Sequence, residues 1–163
     1  MKILITGIGC IGKSSLRERI AAEFPDQMIT VDMDYAEEIP SDKDKIVIVE
    51  SIHGLEENPQ QFDRILYLLP PRLHVFLWLR RAWAWFSTGI VDLSFPRGRK
   101  KRYSILNIPI ILKVFLRNVI LSNKWIRSDL QYIYNHLISI TTIAHSFDEG
   151  LNILRCWHSN DTY

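Results

Sequence analysis

Cysteine is scarce in this chain: Cys10 and Cys156 are the only two among 163 residues, too few for a disulfide framework. Long apolar runs are missing as well. The longest stretch without a formal charge, residues 130–147, carries Gln131, Asn135, His136, Thr141 and Thr142, and is too polar for a membrane span. There is no repeat and no low-complexity tract. A balance of 47% hydrophobic and 23% charged residues is that of an ordinary folded domain, not of a disordered chain. The start "MKILITG" reaches a glycine turn before the roughly seven apolar residues of a secretory leader could accumulate, so a cytoplasmic protein is expected.

The length suits one domain, and residues 1–163 are read as a single unit. Net charge is only +2, yet each sign is missing from part of the chain. Between Asp26 and Asp63 eleven acidic residues face Lys43 and Lys45; between Arg64 and Arg127 thirteen basic residues face Asp92 alone. Such a dipole fits two solvated faces that neutralise each other. It equally fits an acidic segment for metal ions beside a basic one for phosphates, lipid headgroups or nucleic acid.

What is present is a series of short, β-branched runs closed by glycine, proline or charge. "KILIT" (2–6), "MITVDMD" (28–34), "KIVIVE" (45–50), "RILYLL" (64–69) and "ISITTIAHSF" (138–147) predict five strands. Leu16, Ile20, Ala21 and Phe24 at helical spacing predict a helix over 13–24, stopped by Pro25, and a last helix is predicted near 148–157. Strands alternating with helices give βαβ units, hence an α/β fold with a parallel sheet covered on both faces. The segment from about 72 to 137 breaks the alternation. It reads as an inserted helical region: an apolar run over 73–86, a loop at "RGRKKR" (97–102), and helices over 108–121 and 129–137.

After the first strand, Gly7, four residues, Gly12, Lys13 and Ser14 match G-x-x-x-x-G-K-[ST] without a departure. A loop with few bulky side chains turns its amides inward and adds them to the positive end of the next helix, which makes an anion cradle of Gly7, Ile8, Gly9, Cys10, Ile11, Gly12, Lys13, Ser14 and Ser15. In such a cradle Lys13 reaches the β- and γ-phosphates of ATP and Ser14 ligates Mg²⁺. The Cys10 thiol is either a small tolerated side chain or, beside helix amides, an oxidisable one.

Asp32 and Asp34 close the second strand at a spacing that puts both on one side, where carboxylates serve Mg²⁺ or act as base to an acceptor hydroxyl. Glu50 closes the third strand, where an acid meets the metal. His53, three residues on, is a candidate substrate contact. Two GTPase elements are missing: "NKWI" (123–126) lacks the aspartate of N-K-x-D, and no D-x-x-G occurs. Helicase and motor cores need more chain than this.

"GIGCIGKSS", "DMD" and "VIVESIHGLE" together resemble the P-loop kinases that phosphorylate small molecules, and the last stretch is similar to a strand of uridine kinase and phosphoribulokinase, with Ser51 where those families commonly have glycine. The resemblance covers roughly residues 2–70. It implies a three-layer P-loop kinase-type fold, with a five-stranded parallel sheet, the phosphate-loop strand in the middle, and an inserted helical lid that brings arginines to the transferred phosphate. It also implies Lys13 and Ser14 on nucleotide phosphate and Mg²⁺, Asp32 or Asp34 as base on the acceptor side, and Glu50 near the metal.

In "FPRGRKKRYS" (95–104), Arg97 and Arg99 are the candidate lid arginines and Gly98 a hinge; Arg80 and Arg81 are further candidates. The expected activity is transfer of the γ-phosphate of ATP to a hydroxyl or phosphate of a small-molecule acceptor such as a nucleoside, nucleotide or sugar. The alternative is a nucleic-acid-associated ATP-binding protein gripping phosphates through 97–102. The aromatic run "FLWLRRAWAWF" reads as core or as a homodimer face over 73–86, with base stacking or membrane-surface contact as other uses.

Overall fold

The computed structural model describes residues 1–8, 11–33, 38–42, 44–56, 58–69, 76, 79–80, 83, 90–93, 99–102 and 108–161. The elements are β1 (Lys2–Thr6), α1 (Lys13–Glu23), β2 (Met28–Asp32), β3 (Ile46–Glu50), a short 3₁₀ turn at Pro59–Gln61, β4 (Arg64–Leu68), β5 (Ile90–Leu93), β6 (Arg99–Arg102), α2 (Ile108–Tyr132), a π-helical turn at Ile133–Leu137, β7 (Thr141–Ala144) and α3 (Phe147–Asp161).

β2, β3, β1, β4 and β7 lie in that order in one all-parallel sheet, so the fold is α/β, with β1, the strand before the glycine turn, at the centre. β3 is buried along its whole length, as its unbroken "IVIV" requires of a strand covered on both sides. On one face Ile3, Ile5, Ile48, Leu66 and Leu68 pack against Leu16 and Ile20 of α1 and Leu151, Leu154 and Trp157 of α3. On the other, Leu4, Val47, Val49, Ile65 and Tyr67 meet Leu55 and Phe62 of the connection before β4, and Ile133 and Leu137 of the π-helical turn. Because side chains alternate along each strand, Asp32 and Glu50 fall on the α1 side. They are register partners at the carboxyl ends of β2 and β3. The order reverses at β1, and the carboxyl edge beside such a reversal is where α/β sheets hold ligands.

Four expectations change. β2, expected over 28–34, ends at Asp32, and Asp34 lies outside the described residues. The two helices expected over 108–121 and 129–137 are one helix, α2, running on into the π-helical turn; the polar "SNKW" at 122–125 is a change of face, not a break. Four of the six residues of the basic segment expected as a loop, Arg99–Arg102, are strand: β6 pairs antiparallel with β5 in a two-stranded ribbon, with Lys100 in register with Asp92, the one acid between Arg64 and Arg127. In the aromatic run, Phe76, Leu79 and Trp83 are exposed and so are not core. No helix among the described residues is long and apolar enough to cross a membrane.

Candidate functional site

The loop after β1 turns on two glycines with positive φ, 129° at Gly7 and 94° at Gly12. A Cβ on Gly7 would lie 2.5 Å from the Leu68 carbonyl oxygen and 2.8 Å from Ile11 Cδ1, so close approach to β4 as well as φ demands glycine there. Gly12 is the N-cap of α1 and offers no side-chain oxygen to the helix; no acidic residue stands in the first turn. The positive end of α1 thereby receives no cap and no acid from the helix's own first turn. Lys13 is buried, and its Nζ donates to the carbonyls of Gly7 (3.1 Å) and Ile8 (2.8 Å), which holds the ammonium over the loop.

Across from the helix start stands Glu50. Its Oε1 accepts a 2.7 Å hydrogen bond from Ser14 Oγ. Its Oε2 is buried and accepts no hydrogen bond, although Arg17 Nε lies 3.6 Å away. Burial pushes the Glu50 carboxyl above its ordinary range, against the Ser14 hydrogen bond and the charge of Lys13. Arg17 also pairs with Asp32, Nη1 to Oδ2 at 3.5 Å, and so ties the two strand-end acids together from α1.

A hydroxyl and a carboxylate in contact, with one carboxylate oxygen lacking a donor, form a partial shell for a hard cation. Among the described residues no three His, Cys, Asp or Glu side chains group closely enough to hold a metal alone. Mg²⁺ does not require such a cage, since it keeps waters and shares its shell with substrate phosphates. The residues present therefore fit Mg²⁺ brought in with a nucleotide.

On the opposite face, Tyr67 donates to Asp129 Oδ2 at 3.0 Å, joining β4 to α2. Burial, with the charge of Glu56 adding to it, raises the Asp129 carboxyl; the Tyr67 hydroxyl and the charge of Lys13 oppose that shift. His53 sits in the turn after β3 with Nδ1 3.4 Å from Glu56 Oε2, and its amide donates to Ser51 Oγ at 3.0 Å. A pocket of about 270 Å³ opens beside the loop, lined by Ile11, Leu68, Leu69, Ala144, His145, Ser146 and Phe147.

The structure thus brings together Gly7, Ile8, Ile11, Gly12, Lys13, Ser14, Asp32 and Glu50, with Ser15 exposed on the first turn of α1. Gly9, Cys10, Asp34 and Arg97 lie outside the described residues, as does the side chain of Arg99, whose backbone begins β6. Sequence reasoning passed over Arg17 and the Tyr67–Asp129 pair. Arg17 carried a usable signal, since it stands three residues after Ser14 and shares its helix face. No family model matches the chain, and no curated protein is significantly similar to it.

Proposed function

We propose that the chain is a P-loop kinase-type phosphotransferase that moves the γ-phosphate of ATP to a hydroxyl or phosphate of a small molecule such as a nucleoside, nucleotide or sugar. The observation that carries this reading is the Ser14–Glu50 contact at the uncapped start of α1, with the Lys13 ammonium over the same loop. Phosphoryl transfer asks a protein for positioning and charge neutralisation, and little else. Here the loop and the α1 amides bind phosphate oxygens, and Lys13 turns from the Gly7 and Ile8 carbonyls to the β- and γ-phosphates. Ser14 and Glu50 hold Mg²⁺, which when bound neutralises charge on the same phosphates.

Asp32, oriented by Arg17, is the base on the acceptor side. The pocket between Ile11 and Phe147 adjoins the loop on the α3 side and takes the flat, largely apolar base of the nucleotide. The test is a screen of ATP consumption across nucleosides, nucleotides and sugars, with Lys13→Ala as control. Turnover with one acceptor class, lost in the variant, supports the assignment. No turnover with any acceptor, or turnover that Lys13→Ala leaves unchanged, would sink it.

A further inference from the structure

Helix α2 carries an uncovered apolar row. Leu112, Leu116 and Ile120 recur four residues apart, so they line up along the axis, and they are 52%, 48% and 71% exposed. Lys113, Arg117 and Lys124 form a second exposed row beside the first. The only acid of α2, Asp129, is turned inward to Tyr67, so no acid of the helix itself offsets these cations. The same mixture recurs upstream. Phe76, Leu79 and Trp83 have helical backbone and are 61%, 48% and 74% exposed, with Arg80 exposed among them.

At 25 residues α2 is about 37 Å long. It is too polar to cross a bilayer. An apolar row flanked by long basic side chains instead suits a helix lying in the plane of a membrane surface: the leucines enter the headgroup region while lysine and arginine stems run alongside and leave their charges at lipid phosphates. A second copy of the chain is a poor occupant, because a two-fold contact through this face sets cation rows against each other. Nucleic acid would use the cations but gains nothing from three uncovered aliphatic side chains.

We propose that this face of α2 docks on an anionic lipid surface, with Leu112, Leu116 and Ile120 inserted and Lys113, Arg117 and Lys124 on the phosphates. The test is flotation of the full chain, at low salt, with vesicles of phosphatidylcholine alone or of equal parts phosphatidylcholine and phosphatidylserine. The chain should float with the anionic vesicles and not with phosphatidylcholine alone. Combined K113Q, R117Q and K124Q should weaken partitioning roughly a hundredfold. Combined L112S, L116S and I120S should weaken it by at least about tenfold at the same salt.

All six positions are exposed, and the two variants remove different chemistry from one face, so loss of fold in one leaves the other informative. Three results overturn the proposal. One is no flotation of the parent chain with anionic vesicles. Another is flotation that the serine variant leaves unchanged, which marks plain charge adsorption. The third is a dimer, or salt-sensitive retention on nucleic acid, that these substitutions abolish while the parent ignores vesicles.

Discussion

Helices α1 and α3 start side by side at the carboxyl edge of the same sheet, where a Cβ on Gly12 would come within 3.9 Å of the Phe147 ring, yet they start in opposite ways. α3 satisfies itself. Ser146 Oγ accepts from the Glu149 amide at 3.1 Å, Glu149 Oε2 accepts from the His145 amide at 2.7 Å, and Asp148 adds a second acid to the first turn. That is a close relative of the capping box, shifted by one residue. α1 has a glycine N-cap, no side-chain cap and no first-turn acid. Both helices carry the same positive end, and only α3 meets it with a cap and acids of its own first turn. The acid nearest the start of α1 stands instead on β3, as Glu50, which holds the Ser14 hydroxyl. A helix start without a cap, beside a capped one, is what the proposed phosphate site requires.

The largest effect should come from removing the cation of the bare start. Lys13→Ala is expected to lower kcat/KM by about 10² to 10³, the cost of losing one preorganised donor to transition-state charge, while its thermal unfolding stays close to the parent's. Steady-state kinetics with the acceptor found by screening, beside a melt of the same sample, checks this. An unchanged rate would show that the two helix starts differ without consequence. Ser15→Glu is the sharper manipulation, because position 15 of α1 corresponds to Glu149 of α3, three residues past the N-cap. The new carboxylate should raise helix stability by about 0.3–1 kcal/mol. It should also weaken binding of a fluorescent ATP analogue by more than about tenfold through like-charge repulsion. Stability and affinity moving in opposite directions would confirm that the bare start is kept for a ligand; affinity that holds would remove the contrast.

The glycine turn between β1 and α1 was legible because its information is local: glycine spacing, lysine and serine in sequence order between a strand and a helix. The central sheet was legible for a similar reason, since "KILIT", "KIVIVE" and "RILYLL" each declare a buried strand by composition. Glu50 could be placed at a strand end, but its partner could not be read. Arg17 looks like any helix-surface arginine in "SLRERI" until α1 docks over β2 and β3 and its guanidinium lands between Asp32 and Glu50. Tyr67 and Asp129 are 62 residues apart, and only the packing of α2 on the sheet joins them. The ribbon of β5 and β6 was hidden by charge: "RGRKKR" has the composition of a solvated loop, and its pairing with Ile90–Leu93 is a non-local choice that periodicity does not reveal.

Glu50 offers a pH test of the acid assigned to α1. Its carboxyl titrates above the ordinary glutamate value of 4.5 in the folded chain, chiefly because of burial. A raised carboxyl binds its proton more tightly folded than unfolded, so its contribution favours the fold below the unfolded value and is lost as pH rises through the folded one. Glu50→Gln removes that loss. The variant should melt higher than the parent near neutral pH, with the gap closing as the solution is acidified. If Mg²⁺ and nucleotide sit on this carboxylate, adding both should raise the parent's melting temperature more than the variant's. A gap independent of pH would mean that Glu50 is not the strained acid of this site.

The smallest effect belongs to the capped start, and it is the control that gives the comparison its meaning. Ser146→Ala removes the hydroxyl that receives the Glu149 amide and should cost about 1 kcal/mol, the usual loss for an N-cap residue. Because α3 packs on β4 and β7 through Leu151, Leu154 and Trp157, the helix survives and only its first turn loosens. Affinity for the triphosphate should be unchanged, since the proposed function gives the phosphate to the amides of α1. Ser146 also lines the pocket assigned to the base, so a binding measurement with inorganic triphosphate separates the two contributions. Triphosphate affinity equal to the parent's, with a lowered melting temperature, places the anion at α1 alone. If triphosphate affinity falls together with stability, the two helix starts act as one site, and the division drawn between them does not hold.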